Sequence, residues 1–420
     1  MINVLSGIFN IPDLRRKFLV TLGLIVVVRM GAHIPVAGID PAALSKIFGQ
    51  GGLVGFVDLF TGGALSKFSI FAMGIIPYIN ASIIMQLLQV VVPQLEALAK
   101  EGESGRKQIA QYTRYLSIAL AAVQSFGMAF WFRTLILPGY SFPFFLISTM
   151  VALTAGTAMI MWIAELMTEF GIGNGASLII FVGIVSAMPA YIGETIVLMR
   201  TGASMLGLIL LLIAFLAMIV AIIIVQEGQR KIQVQYAKRV VGRKIYGGQS
   251  TFIPIRINQG GVIPIIFASA VLMFPATLAQ FIPNDFIRNM MNYISPSGSL
   301  YMVLYFALVF FFTYFYTAIA FNPVELAENI KKYGGFVMGI RPGKPTAEYL
   351  EYVISRLTLV GATFLAVIAV VPTIVENLTG IRSFQGLGST ALLIVVGVAL
   401  DLVRQIETHL VARQYEGLLA

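Results

Sequence analysis

Apolar residues in this chain come in long runs, and the short stretches between the runs hold nearly all of the charge. Crossing about 30 Å of hydrocarbon takes roughly 20 apolar residues at about 1.5 Å per residue. Runs of that length predict helices over roughly 17–35, 69–92, 113–134, 144–167, 175–197, 205–226, 258–281, 299–321, 351–374 and 389–408, ten in all. Three connecting segments are too long to be simple turns. Residues 36–68 carry the apolar stretch from Leu53 to Phe60, too short to span, followed by Thr61-Gly62-Gly63. It is equally consistent with an interfacial helix lying flat and with a segment buried in protein or lining a cavity. Residues 227–257 alternate polar and apolar from Arg230 to Tyr236 and predict a strand or hairpin. Residues 322–350 are punctuated by Gly and Pro, which mark turns.

Composition fits lipid as the solvent. Of 420 residues, 58% are hydrophobic and 11% charged, against roughly 25% charged in soluble domains. Lysine and arginine orient the spans. With the N-terminus in the cytoplasm, 21 of the 28 fall in cytoplasmic segments, six lie opposite, and Arg29 lies inside the first span. The bias alternates correctly only for ten spans. The net charge of +9 therefore reads as topogenic rather than as a nucleic-acid footprint. The run after Arg15, Arg16 and Lys17 reads as a retained span, not a cleaved signal peptide.

Catalytic and energy-coupling chemistry is not legible here. There is no cysteine, and the two histidines, His33 and His409, are far apart, so no metal site is expected. No phosphate-cradling GxxxxGK[ST] loop occurs. Gly171-Ile172-Gly173-Asn174-Gly175 follows a membrane helix rather than a strand, so it predicts a tight turn that starts the next helix. Ionisable residues within spans are scarce: Arg29, Glu165, and Asp401 with Arg404, which are three apart and form a local pair. An ion-coupled transporter needs a carboxylate near the midplane, and an intramembrane enzyme needs a nucleophile–base pair. Neither is present, so the chain is not expected to be an enzyme or to hold a cofactor.

The chain resembles the SecY family of protein-conducting channels along nearly its whole length. The resemblance is carried by VVRMGAHIPVAGID (27–40), DLFTGGALSKFSIFAMGIIPYINASIIMQLL (58–88), KEGESGRKQIAQYTRY (100–115), MWIAELMTEFGIGNGASLIIF (161–181), GQRKIQVQYAKR (228–239), GGVIPIIFAS (260–269), FNPVELAENIKKYGGFVMGIRPG (321–343) and LTLVGA (357–362). It implies an all-α membrane protein of ten helices in two pseudo-symmetric inverted halves, residues 1–198 and 199–420, around a central pore. Ile75, Ile79, Ala176, Ile180, Ile266 and Ile394 would form the pore ring, with Ala176 standing where the family usually has a bulky aliphatic residue. The external segment at about 53–68 would hold the plug, a short helix comprising Val57, Asp58, Leu59, Phe60, Thr61, Gly62, Gly63, Ala64, Leu65 and Ser66. Gln86, Gln124 and Asn258 would line a lateral gate. Arg243, Lys244 and Arg341 would dock the motor ATPase SecA or the ribosome through its RNA.

The same resemblance implies SecE-like and SecG-like membrane subunits, unfolded preproteins with signal sequences as substrate, and lateral release of membrane helices into the lipid bilayer. It implies a bacterial cytoplasmic membrane location with both termini in the cytoplasm. The alternatives are a specialised accessory homologue and an ion-coupled secondary transporter.

Overall fold

The computed structural model describes residues 11–41, 43–44, 58, 61–200, 205–236, 239–241, 244–246, 250–279, 299–379 and 389–419. Each predicted span has a helix. They are α1 (Pro12–Gly31), α2 (Ile76–Val91), α4 (Glu103–Trp131), α5 (Phe142–Phe170), α6 (Gly175–Arg200), α7 (Met205–Glu227), α8 (Ile263–Ala279), α9 (Ser299–Ala320), α11 (Lys344–Thr379) and α12 (Ser389–Leu419). Two shorter helices, α3 (Pro93–Lys100) and α10 (Pro323–Lys332), lie in loops. Six of the ten are long and apolar enough on their own to cross a membrane, and α2 with α3 makes a seventh candidate bent by 99°. The bend falls at Pro93, whose missing N–H cannot continue the ladder of α2. The helix α1 carries Arg15, Arg16, Lys17 and Arg29 in only 20 residues, which explains why it falls below the apolar criterion.

The second span begins later than its hydropathy predicts. Ser69 bridges to Pro35, residues 70–75 are a run of turns, and α2 starts only at Ile76. Gly74 has a φ of +55°, a conformation that costs a side-chain-bearing residue energy, and Pro77 then presets the backbone for the first helical turn. A continuous apolar run here conceals a break.

Helix α4 packs on α2 and α5, and α5 on α1 and α6, in the N-terminal half; in the C-terminal half α9 packs on α8 and α11, and α7 packs on α11 and α12. Helices α6 and α12 join the halves. One apolar cluster lies at that junction, and a second joins α2 to α7, α8, α9, α11 and α12 through Ile83. A third buries Val36, Leu65, Phe68, Phe132 and Phe145 beneath the outer loops. Phe68 sits edge-on to Phe132 with ring centroids 5.1 Å apart.

Ion pairs link helix ends that the charge pattern assigns to one face. Arg114 and Glu165, both assigned to the cytoplasmic face, pair at 2.7 Å across α4 and α5. Arg404 donates to Glu227 at 2.8 Å and to the Gln226 carbonyl at 3.0 Å, tying α12 to α7. Its contact with Asp401 is longer, 3.8 Å. Arg404 therefore serves mainly as a clasp between helices, where the spacing alone predicted a local pair.

The two large loops fold together. The strand β1 (Gln229–Tyr236) runs antiparallel to β4 (Ser250–Arg256), with Ile232 opposite Ile253. The short strands β2 (Arg239–Val241) and β3 (Lys244–Tyr246) form a separate ribbon. The strand β5 (Gly335–Val337), from the second loop, pairs with the other edge of β1, giving the order β4-β1-β5. Ile232, Val234 and Ile255 bury against Ala327 and Ile330 of α10 and against Leu350 and Ile354 in the first turns of α11, so this core joins the sheet to the start of a membrane helix. Asn322 caps α10 by accepting from the Val324 and Glu325 amides. The predicted strand is present, and its partner from the other loop was not anticipated.

Candidate functional site

All six expected ring residues meet in one apolar cluster. Ile75, Ile180 and Ile394 are buried in it, and Ile79, Ala176 and Ile266 pack against it. Each lies at or near the start of its helix. Ile75 precedes α2 and Ile79 follows one turn later, with the Ile79 amide donating to the Ile75 carbonyl at 3.1 Å. Ala176 and Ile180 lie one turn apart at the start of α6, Ile266 in the first turn of α8, and Ile394 in the second turn of α12. By the alternation of ten spans, α2 and α12 enter from one side and α6 and α8 from the other. Helix starts arriving from opposite sides meet only if each is recessed, so the cluster lies within the depth of the membrane.

Local chemistry fixes these starts. The glycine-dense segment before α6 is the expected turn: Gly173 has a φ of +88°, and Asn174 Oδ1 accepts from the Ser177 amide at 3.1 Å. The Ile172 amide donates to Thr21 Oγ1 of α1 at 3.1 Å. A Cβ on Gly175 would stand 2.0 Å from the Ala164 carbonyl oxygen, so only glycine lets α6 begin this close to α5. The small Ala176 is partly buried, and Tyr78, Phe181, Val395 and Leu402 pack on the same cluster.

The external segment passes beneath this cluster. Ala64, Leu65, Phe68, Phe71 and Ala72 are fully buried, which favours burial in protein over a flat interfacial helix. Of the expected plug residues, Val57, Leu59 and Phe60 lie outside the described residues. Asp58 and Thr61 are helical, but 62–66 are turn and bend, so the described part of the segment is not the helix expected. Gly62 and Gly63 have φ of +67° and +82°. The Asp58 carboxylate organises the turn: its Oδ1 accepts from the Leu65 and Ser66 amides, both at 2.9 Å, and from Thr61 Oγ1 at 3.2 Å. Ser66 Oγ donates to the Gly63 carbonyl at 3.0 Å. Ala64 belongs to the same apolar cluster as the ring residues.

The three amides expected at the gate do not form one network. Gln86 Nε2 donates to Ser82 Oγ at 3.5 Å within α2, and Asn258 Nδ2 donates to the Gly261 carbonyl at 2.9 Å just before α8. Gln124 is partly buried in α4. Asn258 Oδ1 is buried with no hydrogen-bond partner. Ile83 of α2 is buried in the same apolar cluster as Ile265, Phe267 and Ala268 of α8, and Leu87 packs against that cluster. The sequence offered Ile83 as one isoleucine among many, with no local signal for its place in the seam.

Of the basic residues, Arg243 lies outside the described residues, and Lys244 opens β3 in the first loop. Arg341 is exposed in the turn between β5 and α11. Its carbonyl accepts from Thr346 Oγ1 at 2.8 Å, and the glycines beside it, Gly339 and Gly343, have positive φ. The side chain thus projects from a fixed turn. Among the described residues no cluster of three metal-ligating side chains occurs.

The family model for SecY matches residues 69–403. Protein translocase subunit SecY of Synechococcus elongatus is 48% identical over 97% of this chain and 94% of its own length. The subunit of the same name from Thermus thermophilus is 48% identical, covering 100% of this chain and 98% of its own. Among solved structures, one described as the structure of a protein conducting channel aligns with a TM-score of 0.66 at 17% identity, covering 94% of this chain and 92% of that one. A structure reported on the SecY plug domain and its stabilisation of the closed channel aligns with the same score, identity and coverage. The Sec61 chain of a canine ribosome–channel complex aligns at 0.64, with 17% identity and the same shares covered. The fold is that of these channels, ten helices in two inverted halves around a central pore, and the chain belongs to the SecY family.

Proposed function

We propose that this chain is the protein-conducting subunit of a translocase, with the cluster of Ile75, Ile79, Ala176, Ile180, Ile266 and Ile394 as its constriction. The observation that carries the reading is the meeting of six aliphatic side chains from four recessed helix starts. Such a ring suits the task physically. Water leaves a narrow apolar constriction, so ions meet a barrier, while aliphatic side chains yield to a polypeptide of any sequence. None of the six side chains has a hydrogen-bonding group to grip one substrate over another. Unfolded secretory polypeptides with signal sequences are the substrate on this reading.

The segment 57–66 is the plug, seated on the external side of the ring. Residues 1–198 and 199–420 are the two halves of the clamp. The seam of α2 and α4 against α8 and α9 is the lateral gate, through which apolar helices leave into the bilayer. Gln86, Gln124 and Asn258 belong to it, and Ile83 adds apolar packing. Amide bonds within a membrane contribute only about 0.6–2 kcal/mol, and apolar faces exchange readily for lipid or a signal helix.

The chain resides in the bacterial cytoplasmic membrane with both termini in the cytoplasm and works with SecE-like and SecG-like subunits. Arg243, Lys244 and Arg341, from the two large cytoplasmic loops, dock SecA or ribosomal RNA by charge. Energy comes from such a partner.

The test is reconstitution in liposomes with a SecE-like subunit, SecA and ATP, followed by protease protection of a secretory precursor. ATP-dependent protection that is lost in Arg341→Glu supports a motor-driven channel docked through the second loop. No protection, in vesicles with correctly oriented protein, overturns the reading.

A further inference from the structure

We infer that Arg29 is a latch for the plug: its guanidinium in α1 holds the Thr61–Gly63 turn against α6 and thereby sets how often the resting pore opens. The inference rests on the reading of 57–66 as the plug. Arg29 Nη1 donates to the Gly62 carbonyl at 2.8 Å, across 33 residues of chain. Gly62 is wedged there. A Cβ on it would stand 2.7 Å from Arg29 Nη1 and 2.8 Å from the Gly183 Cα. Gly183 lies between Ile180 and Ile184, both buried in the ring cluster. The turn is thus held between a cation on one helix and bare backbone on the helix that supplies Ile180.

Among the described residues no carboxylate comes within 4.0 Å of the Arg29 guanidinium. Asp58, the acidic residue of the turn, spends Oδ1 on the Leu65 and Ser66 amides and Thr61 Oγ1 instead. A cation at membrane depth needs a partner, and here the recorded acceptor is a carbonyl on the one segment that must move for the pore to open. A charge-assisted hydrogen bond out of bulk water is among the stronger single contacts available. When the segment leaves, Arg29 exchanges that carbonyl for vestibule water, so the seated position is favoured by the difference. Further along, Val36 N donates to Phe68 O and Ile70 N to Ile34 O, and Ala64 and Leu65 are held by apolar packing; the Arg29 hydrogen bond is a polar tie at the turn itself.

The test measures resting ion flux from liposomes holding the full chain with the subunits it retains on purification, without substrate. Four proteins are compared: the parent, Arg29→Met, a deletion of residues 58–66, and the two changes combined. Arg29→Met is expected to raise the flux roughly ten- to hundredfold, the range for losing one hydrogen bond to a charged group. It should add nothing to the deletion, and Arg29→Lys should fall between Met and parent. Thermal melting in detergent checks that Arg29→Met remains folded; a general packing defect would instead add to the deletion. A leaking deletion with a silent Arg29→Met overturns the latch and leaves the plug reading standing. If neither leaks, the plug reading fails and the latch fails with it.

Discussion

Replacing Gly156 by alanine tests the packing that holds the external segment in place. Gly156 lies in α5, where an added Cβ would fall 1.9 Å from the Ile70 carbonyl oxygen and 3.3 Å from Phe71 Cδ1. An ordinary carbon–oxygen contact is about 3.3 Å, so backbone must part by roughly 1.4 Å. Neither neighbour yields cheaply. Ile70 is tied to Ile34 by a 2.9 Å backbone hydrogen bond, and Phe71 is buried in the ring cluster. Overpacking a fitted interior costs about 1–3 kcal/mol, and displaced backbone puts the expectation at or above the top of that range. The control is Gly23→Ala in α1, where nothing lies within 4 Å of the new Cβ and alanine's better helix propensity favours it by up to ~1 kcal/mol. Thermal unfolding in detergent reads the difference: Gly156→Ala should melt well below the parent and Gly23→Ala at or above it. Equal melting of the two variants would refute the close approach of α5 to the segment.

Arg404→Met should destabilise the α7–α12 contact by about 1–2 kcal/mol, and Glu227→Gln by less, because the Gln226 carbonyl still accepts from Arg404; chemical denaturation in detergent gives the order. Asn322→Ala should cost about 1 kcal/mol through loss of the α10 cap, with faster hydrogen exchange confined to about 322–326 and recovery in Asn322→Asp. Arg341→Glu should weaken binding of purified ribosomes and flatten its dependence on salt, since one cationic contact is lost; unchanged affinity at low salt would remove Arg341 from the docking surface.

Helix number was readable because it is set by a local rule, run length. The sheet strand at 229–236 was readable for the same reason: its alternation is local. What the sequence concealed depends on distant neighbours. The break at 69–75 hides in an unbroken apolar run, because a turn buried in protein needs no polar residues, only Gly74 and Pro77 placed to permit it. The β1–β5 pairing joins Val234 to Val337, and nothing near either residue announces the other. Arg404 keeps the pair with Asp401 three residues away, at 3.8 Å, and adds a shorter one with Glu227, 177 residues distant. The ring residues are ordinary isoleucines by pattern. Family resemblance singled them out, and they fall in or against one apolar cluster. The three gate amides were chosen by the same resemblance; Ile83, which shares a buried cluster with residues of α8, carried no such signal.

The central claim is that a polypeptide crosses through the six-residue ring. The chain has no cysteine, so single cysteines at Ile75, Ile79, Ala176, Ile180, Ile266 and Ile394 can each be tested for disulfide formation with a cysteine in a precursor arrested midway. Ile213 and Val303, exposed on α7 and α9, serve as controls. The account predicts bonding at the ring positions, dependent on the arrested chain, and none at the controls. Bonding at the controls alone, or at no ring position while the precursor is demonstrably arrested across the membrane, would contradict it.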